Sequence, residues 1–295
     1  MSGPSQEKLH SPEHDPLILK ALWTYPIKSA GGVSLQRSEV VPRGLKHDRR
    51  WMLTGTGGEV LTQRQFPQMR QIRVSLLPDT DAQDALWVEA PGMSPLRVPR
   101  SPQGLLVQTR IWNDVSAAHS VSTTVSAWFS AFLNTDCQLL YMPDDAERAQ
   151  SGKPFSSLLS FADGNPFHLV TEGSVADLNT RLARQMCPGD FRPNLVLSGG
   201  LPYAEDHWRL ISVGGVRLQV VESCARCGVL NVTDDARMTA EPLRTLAGYR
   251  RQGQAIQFGQ NLMQGAELYR AGSFLQVGTP VVVEKTSDIA NPSYP

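Results

Sequence analysis

The chain has 295 residues, and its 28 Lys+Arg against 28 Asp+Glu leave no formal charge at pH 7. A protein that wraps a polyanion carries a basic excess, so this balance speaks against nucleic acid as the main partner. With 41% hydrophobic and 19% charged residues the composition is that of a globular chain with a sizeable core. At about 150 residues per domain, the length suggests two domains or one large one.

Residues 1–15 read as a disordered tail, polar and without the apolar core of an export signal. No later run approaches the ~18 apolar residues that cross a bilayer, so no membrane association is expected. A first strand is expected at Leu17–Trp23, ended by Pro26, with Gly31-Gly32 turning the chain. Arg50–Thr54, Gly55–Gly58 and Glu59–Thr62 read as a β-hairpin, and strands follow at Ile72–Leu77, Leu86–Glu89 and Leu105–Trp112. In Thr123–Asn134, residues Val125, Trp128, Phe129, Phe132 and Leu133 fall on one helical face, with Ser122 or Thr123 as cap. Arg148–Asn165 is polar and Ser/Gly-rich and reads as a long mobile loop.

A second helix is expected at Gly173–Arg184, capped by Thr171. Strands resume at Asn194–Ser198, and Gly214-Gly215 joins Leu210–Val213 to Val216–Glu222. Ser273–Val277 and Val281–Glu284 close the chain before a tail at Thr286–Pro295. The sum is a mostly β protein with a few helices, a barrel or sandwich in two parts. The glycine pairs sit inside hairpins and none opens a helix after a strand, which disfavours a nucleotide-binding α/β fold.

Four cysteines, at 137, 187, 224 and 227, are too few to staple a chain of this size, which favours a reducing, cytoplasmic setting. Cys224-Ala225-Arg226-Cys227 is the densest chemical signal. No second pair completes a zinc site, and the pair precedes apolar Val229-Leu230 rather than opening the helix of a thioredoxin-like site. A single metal-binding thiolate beside the Arg226 cation and a purely structural pair both remain open.

Lys28-Ser29, beyond the first strand, offers an ammonium and a hydroxyl to an anion, though a solvated turn is the plainer explanation. Arg49 in Asp48-Arg49-Arg50-Trp51 has the fork for a phosphate or carboxylate, or simply pairs with Asp48, and Arg64 lies across the same hairpin. Arg192 is a substrate clamp or a stem packed along a rim. Tyr203–Trp208 is an acid- and aromatic-rich loop, either a source of hydrogen bonds to a heterocycle or a turn. His168 reads as a satisfied strand histidine. Neither a G-x-S-x-G nor an H-E-x-x-H motif is present, so a hydrolase has nothing specific to rest on.

Seven motifs in order resemble one family. They are Tyr25-Pro26-Ile27-Lys28-Ser29, Asp48-Arg49-x-Trp51, Phe191-Arg192-Pro193-Asn194, Tyr203-Ala204-Glu205-Asp206-x-Trp208, Cys224-x-Arg226-Cys227, Glu241-Pro242-Leu243 and Phe258-Gly259-Gln260-Asn261. Together they resemble MOSC-domain proteins, named for the C-terminal domain of molybdenum cofactor sulfurase. The closer resemblance, from about residue 17 to 285, is to those with a MOSC N-terminal β-barrel-like domain: the mitochondrial amidoxime reducing component and its bacterial relatives.

The resemblance implies an N-terminal MOSC β-barrel-like domain at 16–135 and a C-terminal MOSC β-barrel domain at 136–285. It further implies a molybdenum–molybdopterin cofactor between them, with Cys227 as the metal ligand and Cys224 as support. By the same matching, Lys28, Ser29, Arg49, Arg192 and Asn194 hold the pterin and its phosphate. Ser223 and Arg226 lie beside the ligand, and Gln260 and Asn261 line the same pocket. Asp206 or Glu205 is the carboxylate expected to relay protons.

The implied reaction is reduction of hydroxylamines, amidoximes and N-hydroxylated bases to amines or amidines. The chain ends at Pro295 with no cysteines left for an iron–sulfur cluster, so electrons are expected from a separate flavoprotein, ferredoxin or cytochrome-like donor. Residues 1–15 are too short and too acidic for a mitochondrial anchor, which favours a bacterial protein free of the membrane and acting as a monomer. Two other classes stay in play. One is a non-catalytic cofactor or sulfur carrier, although this length has no room for the pyridoxal-phosphate domain of the sulfurases. The other is a metal-free β-rich protein with a labile dithiol.

Overall fold

The computed structural model describes residues 15–77, 85–102, 104–148 and 158–287. The tail expectations for residues 1–14 and 288–295, and the mobile-loop expectation for 149–157, lie outside the described residues. Among the described residues, no helix is long and apolar enough to cross a membrane.

The chain opens with β1 (Ile18–Thr24), β2 (Val33–Leu35), β3 (Arg37–Val41), β4 (Gly44–Leu45) and β5 (Trp51–Gly55). A shift in pairing between Leu19 and Ala21 bulges β1, which lets Leu19 and Leu22 both reach the core despite their odd spacing. Next come β6 (Arg73–Leu76), β7 (Ala85–Glu89), β8 (Leu96–Pro99), β9 (Leu106–Ile111) and β10 (Asp114–Ser120). The first helix, α1 (Thr123–Leu133), starts where Ser122 accepts the Val125 N–H at 3.1 Å and stops at Asn134 in the left-handed conformation. Its buried face of Val125, Phe129 and Leu133 joins a core with Ile27, Trp51, Leu53 and Leu139. The last of these belongs to β11 (Cys137–Tyr141).

The second half contains β12 (Phe167–Thr171), α2 (Glu172–Asn179), β13 (Leu195–Ser198), β14 (Trp208–Val213) and β15 (Val216–Ala225). It ends with α3 (Leu243–Ala247), β16 (Arg251–Gln252), β17 (Ala255–Met263), β18 (Phe274–Gln276) and β19 (Val281–Thr286). Most of these strands form one sheet in the order β19-β14-β15-β17-β12-β13-β1-β2. Within it β12 and β13 run parallel, with α2 in the crossover. The fold class is therefore mostly β, as expected, but the first strands of the chain complete the sheet of the second half. In addition, β18 pairs with β3. A smaller sheet, β5-β11-β10-β9, and the sheet β6-β7-β8 build the other part.

Three expectations need correction. The second helix stops at Asn179 instead of Arg184, because the Asn179 side chain turns back to bind both Met186 N and Met186 O. Thr286 belongs to the last strand, not to a tail. Arg148, read as part of a polar loop, is buried at 2% exposure: it pairs with Asp114 and donates to Ser160 O and Ala162 O.

Candidate active site

A cavity of about 560 Å³ opens where the segments after β1 and before β5 meet β12, β13, β15 and β17. Of the residues expected at the site, Lys28, Ser29, Arg49, Arg192, Asn194, Ser223, Arg226, Cys227 and Asn261 all line it. Asp206 and Gln260 do not.

The cationic wall is built by backbone conformation. Ser29 (φ 66°), Arg49 (φ 49°) and Arg192 (φ 56°) all adopt the left-handed conformation, which costs a residue with a Cβ about 1–2 kcal/mol. Local preference is thus overridden at three positions that face one cavity, the pattern of a functional site. Arg49 donates to both oxygens of buried Asp48, at 2.8 and 2.6 Å, and to Asn194 Oδ1 at 3.2 Å. Arg192 donates to Ala30 O at 2.6 Å. Both guanidiniums lie 4.4 Å from the Tyr25 ring. Burial pushes the Tyr25 hydroxyl up to about 12 and lowers Arg192 to about 10.

Lys28 is buried, so the solvated-turn explanation fails for it. Its ammonium donates to Phe161 O at 2.8 Å and to Asp163 Oδ1 at 2.5 Å. Burial draws the Lys28 pKa down against the pull of Asp163. Desolvation would raise the Asp163 carboxyl, but the Lys28 charge and the Trp112 indole N–H outweigh it and hold it at about 2. Asn194 shapes the wall itself, accepting His168 N and donating to Trp23 O, both at 3.1 Å.

Another part of the lining carries the cysteines. Register shifts along the β15–β17 pairing, one between Ser223 and Ala225, break the ladder just before Cys227. Cys227 is exposed and begins the short 3-10 turn Gly228–Asn231, whereas Cys224 is half-buried. The Arg226 guanidinium faces Cys224, not Cys227: Nη1 lies 3.1 Å from Cys224 Sγ and 2.9 Å from His168 Nε2, while Nη2 donates to Phe191 O. Since an arginine only donates, His168 Nε2 accepts, and the ring proton sits on Nδ1, 3.1 Å from Gln260 O. Burial, then the Arg226 charge, push His168 well below its ordinary pKa and keep it neutral. His168 is the satisfied strand histidine that the sequence suggests, though it also lines the cavity; Asp163 goes unmarked there, because a lone Asp in a Ser/Gly-rich stretch carries no signal.

Gln260 and Asp206 stand behind this part of the lining. Ser223 Oγ donates to Gln260 Oε1 at 3.3 Å, and Gln260 Nε2 donates to Asp206 Oδ1 at 2.7 Å. Asp206 pairs with buried Arg250 at 2.8 Å. Glu205 is fully buried beneath α2, where Ser174 and Thr171 donate to it. The Tyr203–Trp208 segment is thus a structural turn.

Among the described residues no three His, Cys, Asp or Glu side chains are placed to hold a metal. Cys227 offers one accessible thiol at the cavity to a metal that brings its other ligands with it. Among the described residues, three buried polar atoms of the lining have no partner: Arg226 Nε, Asn165 Oδ1 and Gln257 Oε1. A donor and two acceptors left open in a cationic cavity fit a bound heterocycle carrying negative charge.

The MOSC N-terminal beta barrel domain matches residues 17–136, and the MOSC domain matches residues 157–282. Molybdenum cofactor sulfurase of Oryza sativa subsp. japonica is 32% identical over 89% of this chain, a match covering 35% of that protein. The chain therefore spans about a third of the length of that relative. Mitochondrial amidoxime reducing component 2 of Rattus norvegicus is 32% identical, over 88% of this chain and 81% of its own length. The human mitochondrial amidoxime-reducing component 1 is 29% identical over the same shares.

Proposed function

This chain belongs to the MOSC-domain family, and we propose that it is a molybdenum-cofactor-dependent oxidoreductase that reduces N-hydroxylated compounds to amines or amidines. The observation that carries the reading is a cationic cavity with unpartnered polar atoms in its walls and one accessible thiol, Cys227, at its edge. Lys28, Ser29, Arg49 and Arg192 would hold the anionic part of the cofactor, and Cys227 would ligate its metal. The chemistry such a cofactor supplies is two-electron oxygen-atom transfer.

The chain's own part is preorganisation. Asp48 and Tyr25 fix Arg49 and Arg192 before any ligand arrives, so little side-chain freedom is lost on binding. His168, neutral and accepting, together with Cys224 holds Arg226 beside the ligand residue. Gln260 ties the Ser223 hydroxyl to Asp206, but an amide passes no proton, so Asp206 supports the wall and does not feed the cavity. Asp163 and Glu222 are the carboxylates that line the cavity, and the low pKa of Asp163 keeps it an acceptor that steadies Lys28. Electrons come from a separate donor protein, a flavoprotein, ferredoxin or cytochrome-like carrier.

The test is molybdenum per protein in wild type and Cys227→Ser, both made in a cofactor-producing host, with benzamidoxime reduction by an artificial donor on the same samples. Near-stoichiometric metal with turnover in wild type and none in the variant supports the reading. Cofactor binding without any reduction favours a cofactor carrier instead, in line with the sulfurase relatives. Absence of molybdenum from wild type refutes both.

A further inference from the structure

Strands β9 and β10 are joined by the two-residue turn Trp112-Asn113, closed by the Ile111–Asp114 pair. Trp112 stands first in that turn at φ 53°, where such hairpins take glycine, and is 47% exposed. Its indole N–H donates to Asp163 Oδ1 at 3.1 Å, which anchors the ring to the carboxylate that holds Lys28. The Arg64 guanidinium lies 5.0 Å from the centre of the ring. Arg64 is exposed and, among the described residues, has neither a hydrogen-bond nor a carboxylate partner. Its stem passes beside Gly228: Arg64 Cγ lies 3.9 Å from where a Cβ on that glycine would stand, one residue after Cys227. A guanidinium whose N–H groups meet no described acceptor is therefore held on an anchored aromatic ring, its stem beside the residue that follows Cys227 and outside the cavity lining.

We propose that Arg64, seated on Trp112, is an anion-recognition site for the substrate, so that the protein prefers N-hydroxylated compounds carrying a carboxylate or phosphate remote from the N–OH group. This rests on the reductase reading above. A guanidinium fork binds either anion in bidentate fashion, and stacking on the indole removes part of the rotamer freedom that binding would otherwise cost. Its stem beside Gly228, the residue after Cys227, lets the N–OH end reach inward while the anion stays at the edge. The cations inside the cavity are those already assigned to the cofactor. A backbone conformation unfavourable to tryptophan is kept because the ring positions Arg64.

The experiment measures KM for benzamidoxime and para-carboxybenzamidoxime on cofactor-loaded wild type, Arg64→Gln and Trp112→Gly, with reduced viologen as donor. Glycine suits the turn, so the second variant keeps the fold. Wild type is expected to show a KM about tenfold lower for the carboxylate compound, a gap that narrows with salt. Both variants are expected to bring the two KM values to near parity. A wild type without preference, or a preference that survives Arg64→Gln, overturns the proposal. If wild type reduces neither compound, the reductase reading has failed, and calorimetric titration with para-carboxybenzamidoxime decides the anion site alone. Binding about tenfold weaker in Arg64→Gln supports it, whereas equal binding, or none to wild type, overturns it.

Discussion

Lys28, Arg49 and Arg192 come from three separate segments, and each is held by protein groups before any ligand binds: Phe161 O and Asp163, Asp48 and Asn194, Ala30 O and Tyr25. Elsewhere in the lining, Cys227 is exposed, its thiol bonds to no described residue, and the ladder beside it is broken by register shifts. The cations of the first group already have protein partners, whereas the Cys227 thiol has none among the described residues. Under the proposed function the difference separates two tasks, since an anion is bound best by donors that need not reorganise, while a metal ligand must be left uncommitted.

The largest expected effect breaks the cationic wall. Asp48 is buried and accepts from Tyr25 N, Thr24 Oγ1 and Arg49. Asp48→Ala strands the half-buried Arg49 cation and the Tyr25 N–H, and is expected to cost about 3 kcal/mol or more in chemical denaturation. A loss under about 1 kcal/mol would mean that the wall is not preorganised by this pair.

Glu205 gives the next effect, in pH. Burial holds its folded carboxyl at about 7, above the ordinary 4.5. The folded state keeps a proton that the unfolded chain has released, so stability is full below the unfolded value and falls as pH rises to about 7, by about 3 kcal/mol at most. Glu205→Gln is expected to flatten that slope and to stabilise the protein above pH 7; an unchanged profile would place the slope elsewhere.

Much of the fold could be read where the signal was local. The cap at Ser122 and the spacing of Val125, Phe129 and Leu133 marked α1, and Gly214-Gly215 marked the β14–β15 hairpin. What escaped was non-local or turned inward. In β17, polar Gln257 and Asn261 face the cavity, so the strand shows no clean alternation, and nothing near β1 announces its pairing with β13. For the site, the ordered motifs pointed to Lys28, Arg49, Arg192 and Cys227, which do line one cavity. Asp206 stood among them by residue type alone, yet its carboxylate turns away to Arg250.

Two smaller effects sharpen the contrast. Ser29→Gly relieves a left-handed backbone and is expected to raise stability by up to about 1 kcal/mol while weakening cofactor retention. Thermal unfolding beside molybdenum content checks both, and a destabilised variant would deny the strain. Cys227→Ser is expected to leave stability within about 0.5 kcal/mol of wild type, because the thiol is exposed. A clear loss of stability without cofactor would make Cys227 a structural residue.

The most direct test of the division between the two parts of the lining is molybdenum-edge X-ray absorption on cofactor-loaded wild type and Cys227→Ser. The account predicts one sulfur ligand fewer in the variant, with the cofactor still retained by the cationic wall. An equal sulfur count in the two proteins would contradict it.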